Sequence, residues 1–347
     1  MTVHNRPLLS AITTANITSS FHLSTAVPKQ PESQAAAAVS QGDIAQLQRF
    51  FDQHSGDRLL ALTGAGISTE SGIPDYRSPG VGLYTRTPND GNGNSSYRPM
   101  TASAFLGSAA ARQRYWARSF LAWRSTIFGA QPNAGHLSLA SWQRAGKLGA
   151  IVTQNVDRLH QKAGSEHVLE LHGSLYTVRC LRCSRRIART LMQRRLEELN
   201  AGLLLENENL LRSQQDSQLG LGARPDGDID LSQAEHFVKR FRVPDCDHCA
   251  RQEGILKPDI VFFGENVPRT MVEEIGGLVE RCSGLLVLGT SLAVFSSYRF
   301  VVQALALQKP LLLVNIGPTR ADGQNGVVRL DAKLGELLPR IEVGNRC

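Results

Sequence analysis

The runs Leu285–Leu288 (LLVL) and Leu311–Asn315 (LLLVN) lack the polar alternation of a strand with one face in water. That absence constrains the fold more than any other feature, because a strand apolar on both sides needs cover on both sides, as in a parallel sheet flanked by helices. Comparable short runs occur at Arg58–Thr63 (RLLALT), Ala150–Thr153, Val168–Leu171 and Asp259–Phe263, with helical stretches between most of them. The alternation predicts an α/β fold, a doubly wound Rossmann-like parallel sheet. Ahead of the first run, Gly42–Ser55 places Ile44, Leu47, Phe50 and Phe51 on one helical face, so the chain begins helix, strand, glycine loop.

With 347 residues, 41% of them hydrophobic, the chain has ample material for a core, which excludes disorder throughout. That length suits two domains or one large domain with an inserted lobe, since single cores stop growing near about 250 residues. Its longest uncharged hydrophobic stretch, Ser283–Tyr298, is broken by Gly, Ser and Thr and falls short of the roughly 20 apolar residues of a spanning helix, so no membrane contact is expected. The net charge of +7 is spread among acidic residues, without an aromatic-interleaved basic stripe, so direct nucleic-acid binding is not expected. Residues 1–40 form a leader or disordered tail: up to Pro31 there are nine Ser or Thr, with Arg6 and Lys29 and no acid before Glu32. This composition resembles a mitochondrial presequence, though Arg-poor, and it places the chain in the mitochondrial matrix. A secreted context is not indicated, so the six cysteines should be reduced or metal-bound.

Two segments interrupt the alternation. From 176 to 254 the sequence turns polar and loop-rich and predicts a small inserted lobe; 41–175 and 255–347 then form the Rossmann-like domain, with a helical insertion at about 84–128. The lobe holds Cys180-Leu181-Arg182-Cys183 and Cys246-Asp247-His248-Cys249, two pairs each able to give two thiolates to a tetrahedral Zn²⁺. Between Cys183 and Cys246 lie 62 residues, against about 15–20 in common zinc ribbons. A long loop adds closure entropy only logarithmically, so the site tolerates it. Four thiolates leave no open position, and the ion is expected to be structural. Cys282 and Cys347 lack partners and fall in core and tail.

Gly64-Ala65-Gly66-Ile67-Ser68 follows a strand, where glycines let the backbone approach a pyrophosphate lying at the start of the next helix. Thr69 stands where a full GxGxxG has its third glycine, and alone the motif is equally a tight strand-to-helix turn. It continues, however, as GAGISTESGIPDYRS (64–78), followed by TQNVDRLH (153–160), ELHGS (170–174) and GTS (289–291). In order and spacing these motifs resemble the sirtuin family over essentially Ile44–Leu338. GLYTR, RQRYWAR, RPDGD and NIGPTR look most like the class II mitochondrial sirtuins, of lipoamidase and deacylase type.

The resemblance implies NAD as co-substrate and acylated lysines of proteins as partners, with nicotinamide, free lysine and O-acyl-ADP-ribose as products. It implies that His172 is the general base, its imidazole suited to take a ribose hydroxyl proton at working pH. Asn155 joins it in the catalytic set, and Gln154, Asn155, Val156 and Asp157 surround ribose and nicotinamide, Asp157 accepting from the carboxamide. A loop with Asp75, Tyr76 and Arg77 after Pro74 covers the nicotinamide ribose. Gly64, Ala65, Gly66, Thr69, Tyr84, Gly289, Thr290, Ser291, Asn315, Ile316, Gly317 and Leu334 complete the NAD set.

For the acyl group, Tyr115 and Arg118 stand three apart in a helical stretch, and the resemblance makes them the lining of a pocket for branched, acidic or lipoyl groups, with weak deacetylation. Val261, Phe262, Phe263 and Gly264 would lie beside the acyl-lysine peptide, which can add as a strand. His136 and His160 are expected to pack rather than ligate. Two other functions use the same residues: mono-ADP-ribosyl transfer to protein, and NAD sensing without catalysis.

Overall fold

The computed structural model describes residues 38–78, 82, 99–123, 128–207, 235–249 and 254–344. Residues 1–37 of the leader, Tyr84, Cys347 and residues 208–234 between the cysteine pairs lie outside the described residues. The first helix, Gln41–His54, starts on a capping box in which Ser40 and Asp43 satisfy each other's backbone N–H groups, and it buries Leu47, Phe50 and Phe51. Such a cap contributes about 1 kcal/mol.

Six strands form one parallel sheet: β1 (Gly56–Thr63), β2 (Leu148–Thr153), β3 (Val168–Glu170), β7 (Gly284–Leu288), β8 (Leu311–Val314) and β9 (Val327–Leu330). Their order is β3-β2-β1-β7-β8-β9. Both faces are covered, as the apolar runs require: in β1 Leu59 and Ala61 join one core, and Leu60 and Leu62 join the other. From β1 the chain first builds outward through β2 and β3, then returns to β1's other edge for β7. The resulting switch point between β1 and β7 opens a crevice at the carboxyl ends of the strands.

A second, three-stranded antiparallel sheet contains β4 (Gly173–Cys180), β5 (Arg186–Ala188) and β6 (Leu256–Ile260), in the order β5-β4-β6. The run at Asp259–Phe263 is therefore not a strand of the parallel sheet. It falls partly in β6, which pairs antiparallel with β4, and its apolar character comes from facing the core that the lobe shares with the helical insertion. The small sheet spans Gly173 to Ile260, outside 176–254 at both ends. Helices Ala102–Gly107 and Ala109–Ala122 of the insertion bury Phe105, Trp116 and Phe120 against Val178, Met192, Phe241 and Leu256, so insertion and lobe have one core.

Arg189 ties these parts together. Fully buried, it donates to Gln193 and to the Ser119 carbonyl and stacks over Trp116 and Trp123, with Cζ 5.3 and 4.9 Å from the ring centroids. Desolvation lowers its pKa to about 10, which leaves it charged at neutral pH.

Candidate active site

The parallel register brings four strand ends level. Thr63 pairs with Thr153 and with Leu288, and Leu288 with Val314. The next residues, Gly64, Gln154, Gly289 and Asn315, thus emerge along one edge of the sheet. Across the switch point the two glycine loops touch: Gly66 N–H donates to the Gly289 carbonyl at 2.8 Å. A Cβ on Gly64 would stand 2.6 Å from the Thr290 Cβ, and one on Gly66 2.8 Å from the Gly289 oxygen. In this structure these glycines are required by the approach of two loops to each other.

The edge opens into a cleft of about 690 Å³ between the two sheets. Its wall includes Ala65, Gly66, Asp75, Tyr76, Arg77, Gln154, Asn155, Val156, His172, Gly289, Thr290, Ser291, Asn315 and Ile316, together with Tyr115, Val261, Phe262, Phe263 and Gly264. Most of the expected site residues are thus brought to one surface, although they come from loops far apart in sequence.

His172 lies between β3 and β4, at the hinge of the two sheets, where Gly173 has φ +79° and leaves no room for a Cβ, which would sit 2.0 Å from the Asp259 carbonyl. Its Nδ1 is 3.0 Å from the Gln154 carbonyl oxygen, an atom that only accepts, so Nδ1 carries the proton. In the neutral ring Nε2 is then the acceptor, and the Ser296 hydroxyl donates to it at 2.9 Å. Burial lowers the pKa of this imidazole below 6.5, partly opposed by the bond to Gln154. The ring is consequently a neutral base with its lone pair at the cleft. Ser296 was not foreseen; a serine after an aromatic residue carries no sequence signal of its own.

The amide nitrogens around His172 are engaged. Gln154 Nε2 donates to Thr290, Asn155 Nδ2 to the Gly64 carbonyl and Ser68, and Asn315 Nδ2 to the Ile316 and Gly317 carbonyls. Their carbonyl oxygens remain as acceptors, which suits sugar hydroxyls and a carboxamide NH₂. The donor set and the cleft volume fit a dinucleotide. In the turn 75–78, both Asp75 oxygens are engaged by Arg77 N–H, Ser78 N–H and the Ser78 hydroxyl. Its carboxylate shapes the loop that carries Tyr76.

Several expected contacts lie off the wall. Asp157 is buried, accepting from Ser68 at 2.8 Å and from Leu159 N–H at 2.9 Å, and desolvation raises its pKa. It stands behind Ser68, whose hydroxyl it accepts from, and through Ser68 it supports Asn155. Gly64 sits under Thr290, Thr69 bonds back to the Gly66 carbonyl, Leu334 packs behind Gly289, and the Gly317 carbonyl accepts from Arg329. Arg118 is half-buried on the helix that carries Tyr115 but is not part of the cleft wall; three residues along an α-helix turn a side chain by about 60° from its neighbour. Tyr84 is outside the described residues. His136 and His160 are fully buried: His160 bonds Thr63 at 2.9 Å and His136 contacts Asn133 at 3.0 Å.

Lys257 is a second unforeseen residue. Its buried ammonium is 2.9 Å from Glu265 and 4.3 Å from the centroid of the Phe262 ring, while Glu265 also accepts from Phe262 N–H. This pair fixes the turn that presents Phe262 to Gly264.

In the lobe, one ligand atom from each of Cys180, Cys183, Cys246 and Cys249 lies within 4.8 Å of all the others. The sulfurs of Cys180 and Cys249 are 3.6 Å apart and those of Cys183 and Cys246 are 3.8 Å apart. Tetrahedral Zn–S bonds of about 2.3 Å require roughly 3.8 Å between sulfurs, whereas a disulfide requires about 2.05 Å. The spacing fits a four-thiolate Zn²⁺.

Fold and site together define an α/β protein with a switch-point nucleotide cleft, a neutral histidine base and a cysteine-clustered lobe. The Sir2 family model matches residues 64–296. The chain is 45% identical over 303 residues to NAD-dependent protein deacylase Sirt4 of Drosophila melanogaster, covering 87% of this chain and 88% of the relative. It is 44% identical over 299 residues to the human NAD-dependent protein lipoamidase sirtuin-4, mitochondrial, covering 86% of each. A solved Sir2 structure with a p53 peptide and NAD⁺ superposes with TM-score 0.59 at 26% identity, over 86% of this chain and 96% of that one. The chain belongs to the Sir2 family.

Proposed function

We propose that the cleft carries out NAD-dependent deacylation of protein lysines, releasing nicotinamide, free lysine and O-acyl-ADP-ribose. The observation that supports it most is His172, whose Nδ1 is tied to the Gln154 carbonyl so that Nε2 is the acceptor at the cleft. Bound NAD supplies the ribose carbon that the acyl carbonyl oxygen attacks as nicotinamide departs. Nε2 of His172 then takes the proton of a ribose hydroxyl, Ser296 yielding its place, and that hydroxyl adds to the acyl carbon. The bond from this carbon to the lysine nitrogen breaks, the proton held on His172 returns to the departing amine, and a water adds to the same carbon. Asn155, locked to Gly64 and Ser68, orients the ribose through its carbonyl oxygen. Tyr76 screens the reacting carbon from water, on the turn that Asp75 holds. The lobe's zinc supplies no chemistry here and holds structure only.

The acyl-lysine passes along the wall made by Tyr115 and Phe262, which pack edge to face with ring centroids 5.3 Å apart, with the peptide along Val261 to Gly264. This aromatic lining, and the lipoamidase and deacylase names of the relatives, support lipoyl or branched and acidic acyl groups over acetyl. The mitochondrial name of one relative and the leader composition support a mitochondrial location, with the matrix as the compartment. Product mass spectrometry tests the reaction: O-acyl-ADP-ribose with free lysine is expected, whereas ADP-ribose on acceptor protein with no acyl transfer would replace this reading by ADP-ribosyl transfer.

A further inference from the structure

The charges lining the cleft are unevenly satisfied. Its carboxylates are engaged: Asp75 closes its own turn, and Glu265 is paired with Lys257. Among its arginines, Arg269 pairs with Glu273 at 2.6 Å. Arg299, one turn after Ser296 on the helix Phe295–Ala306, has no carboxylate within ion-pair distance among the described residues, and its Nε is buried without a hydrogen bond. Its guanidinium lies 5.1 Å from the ring centroid of Phe295, which is 53% exposed although it lines the cleft. A second guanidinium, Arg320, lies 5.9 Å from the same ring and 4.5 Å from that of Tyr298, also with no acid partner among the described residues.

Two guanidiniums within cation–π distance of one exposed ring are held near their positions, and their remaining N–H groups are left for a ligand. A carboxylate meets a guanidinium edge with two parallel hydrogen bonds. The position of Arg299, one turn from the Ser296 that bonds His172, favours a group on the acyl-peptide over a phosphate of NAD, while Arg320 is anchored through its backbone N–H to the Ser291 carbonyl. We propose that Arg299, aided by Arg320 and Phe295, is a recognition site for an acidic side chain flanking the acyl-lysine of the protein substrate. This rests on the deacylase reading for its substrate class, and the test separates the two.

Fluorescent acyl-lysine peptides carrying one Glu, moved through the positions on either side of the lysine, are compared with Gln counterparts by anisotropy, using the full chain. At one or two positions Glu is expected to bind about fivefold more tightly, the upper range for a partly exposed ion pair. Arg299→Ala should abolish the difference while leaving the Gln peptides and NAD binding unchanged, and Arg299→Glu should invert it toward Lys peptides. Equal affinity of Glu and Gln peptides for the wild type overturns the site. So does a preference that survives Arg299→Ala, or a loss confined to NAD affinity, which would make it a phosphate contact. A neutral peptide with a carboxylated acyl group distinguishes the remaining source: if only that peptide responds to Arg299→Ala, the ligand is the acyl end and the flanking-residue proposal fails. Nicotinamide release is measured separately, so peptides that bind with the acidic preference but are not turned over count against the deacylase reading alone.

Discussion

At the scale of single residues the site depends on protonation states set by burial. Because burial lowers the His172 pKa, activity should stay level as pH falls from 8 toward the ordinary imidazole value and decline only below it. Ser296→Ala removes a donor that favours the neutral ring, so the acid limb of kcat/KM should move upward; an unmoved limb would deny that hydroxyl its role. His136 has a pKa lowered by burial to about 4. The unfolded chain therefore takes up a proton near pH 6.5 that the folded chain refuses, and stability present at neutral pH is lost as pH falls from about 6.5 to about 4. The lost contribution is on the order of 3 kcal/mol. Urea midpoints of the wild type should fall more steeply over this range than those of His136→Asn. His172 and the cysteines were legible in sequence because motif and spacing point to them. The depth of Asp157 was not, since chain neighbours of wall residues lie on either side of the wall, and Ser296 becomes visible only once β3 and the helix Phe295–Ala306 meet.

At the scale of elements the apolar runs identified β1, β2, β3, β7 and β8 to within about two residues, because a strand covered on both faces has little choice of residue. The same signal misled at Asp259–Phe263, where burial against the lobe produces an apolar run in an antiparallel strand. The edge strand β9, Val327–Leu330, escaped notice because it is short and carries Arg329 among partly exposed residues. Glycines at the switch point follow from packing: Gly66→Ala would press a methyl group onto the Gly289 carbonyl. A loss of about 2 kcal/mol in denaturant stability is expected, accompanied by weaker NAD binding. An alanine variant as stable as the wild type would show that the loops separate freely.

For the whole molecule, insertion and lobe share a core that reaches Phe262 at the cleft, so the cysteine cluster and this part of the cleft wall are mechanically joined. Removing zinc with a strong chelator should lower Tm, expose Trp116 and Trp123 to solvent by fluorescence, and abolish turnover together. Full activity in a verified metal-free protein would exclude a structural zinc. The division into a parallel sheet and a cysteine lobe was visible in sequence, whereas the union of two distant insertions in one core was not, because no local pattern encodes which buried faces meet.

The central claim is that a neutral His172 at the cleft completes acyl transfer from lysine to NAD-derived ribose. The most direct measurement is nicotinamide release from NAD over a panel of acetyl-, lipoyl-, glutaryl- and branched-acyl-lysine peptides, with the wild type beside His172→Ala. The wild type should release nicotinamide only with acyl peptide, best with the larger acyl groups, and the variant should form at least about a hundredfold less O-acyl-ADP-ribose. Release independent of acyl peptide, or equal product from both proteins, would contradict it.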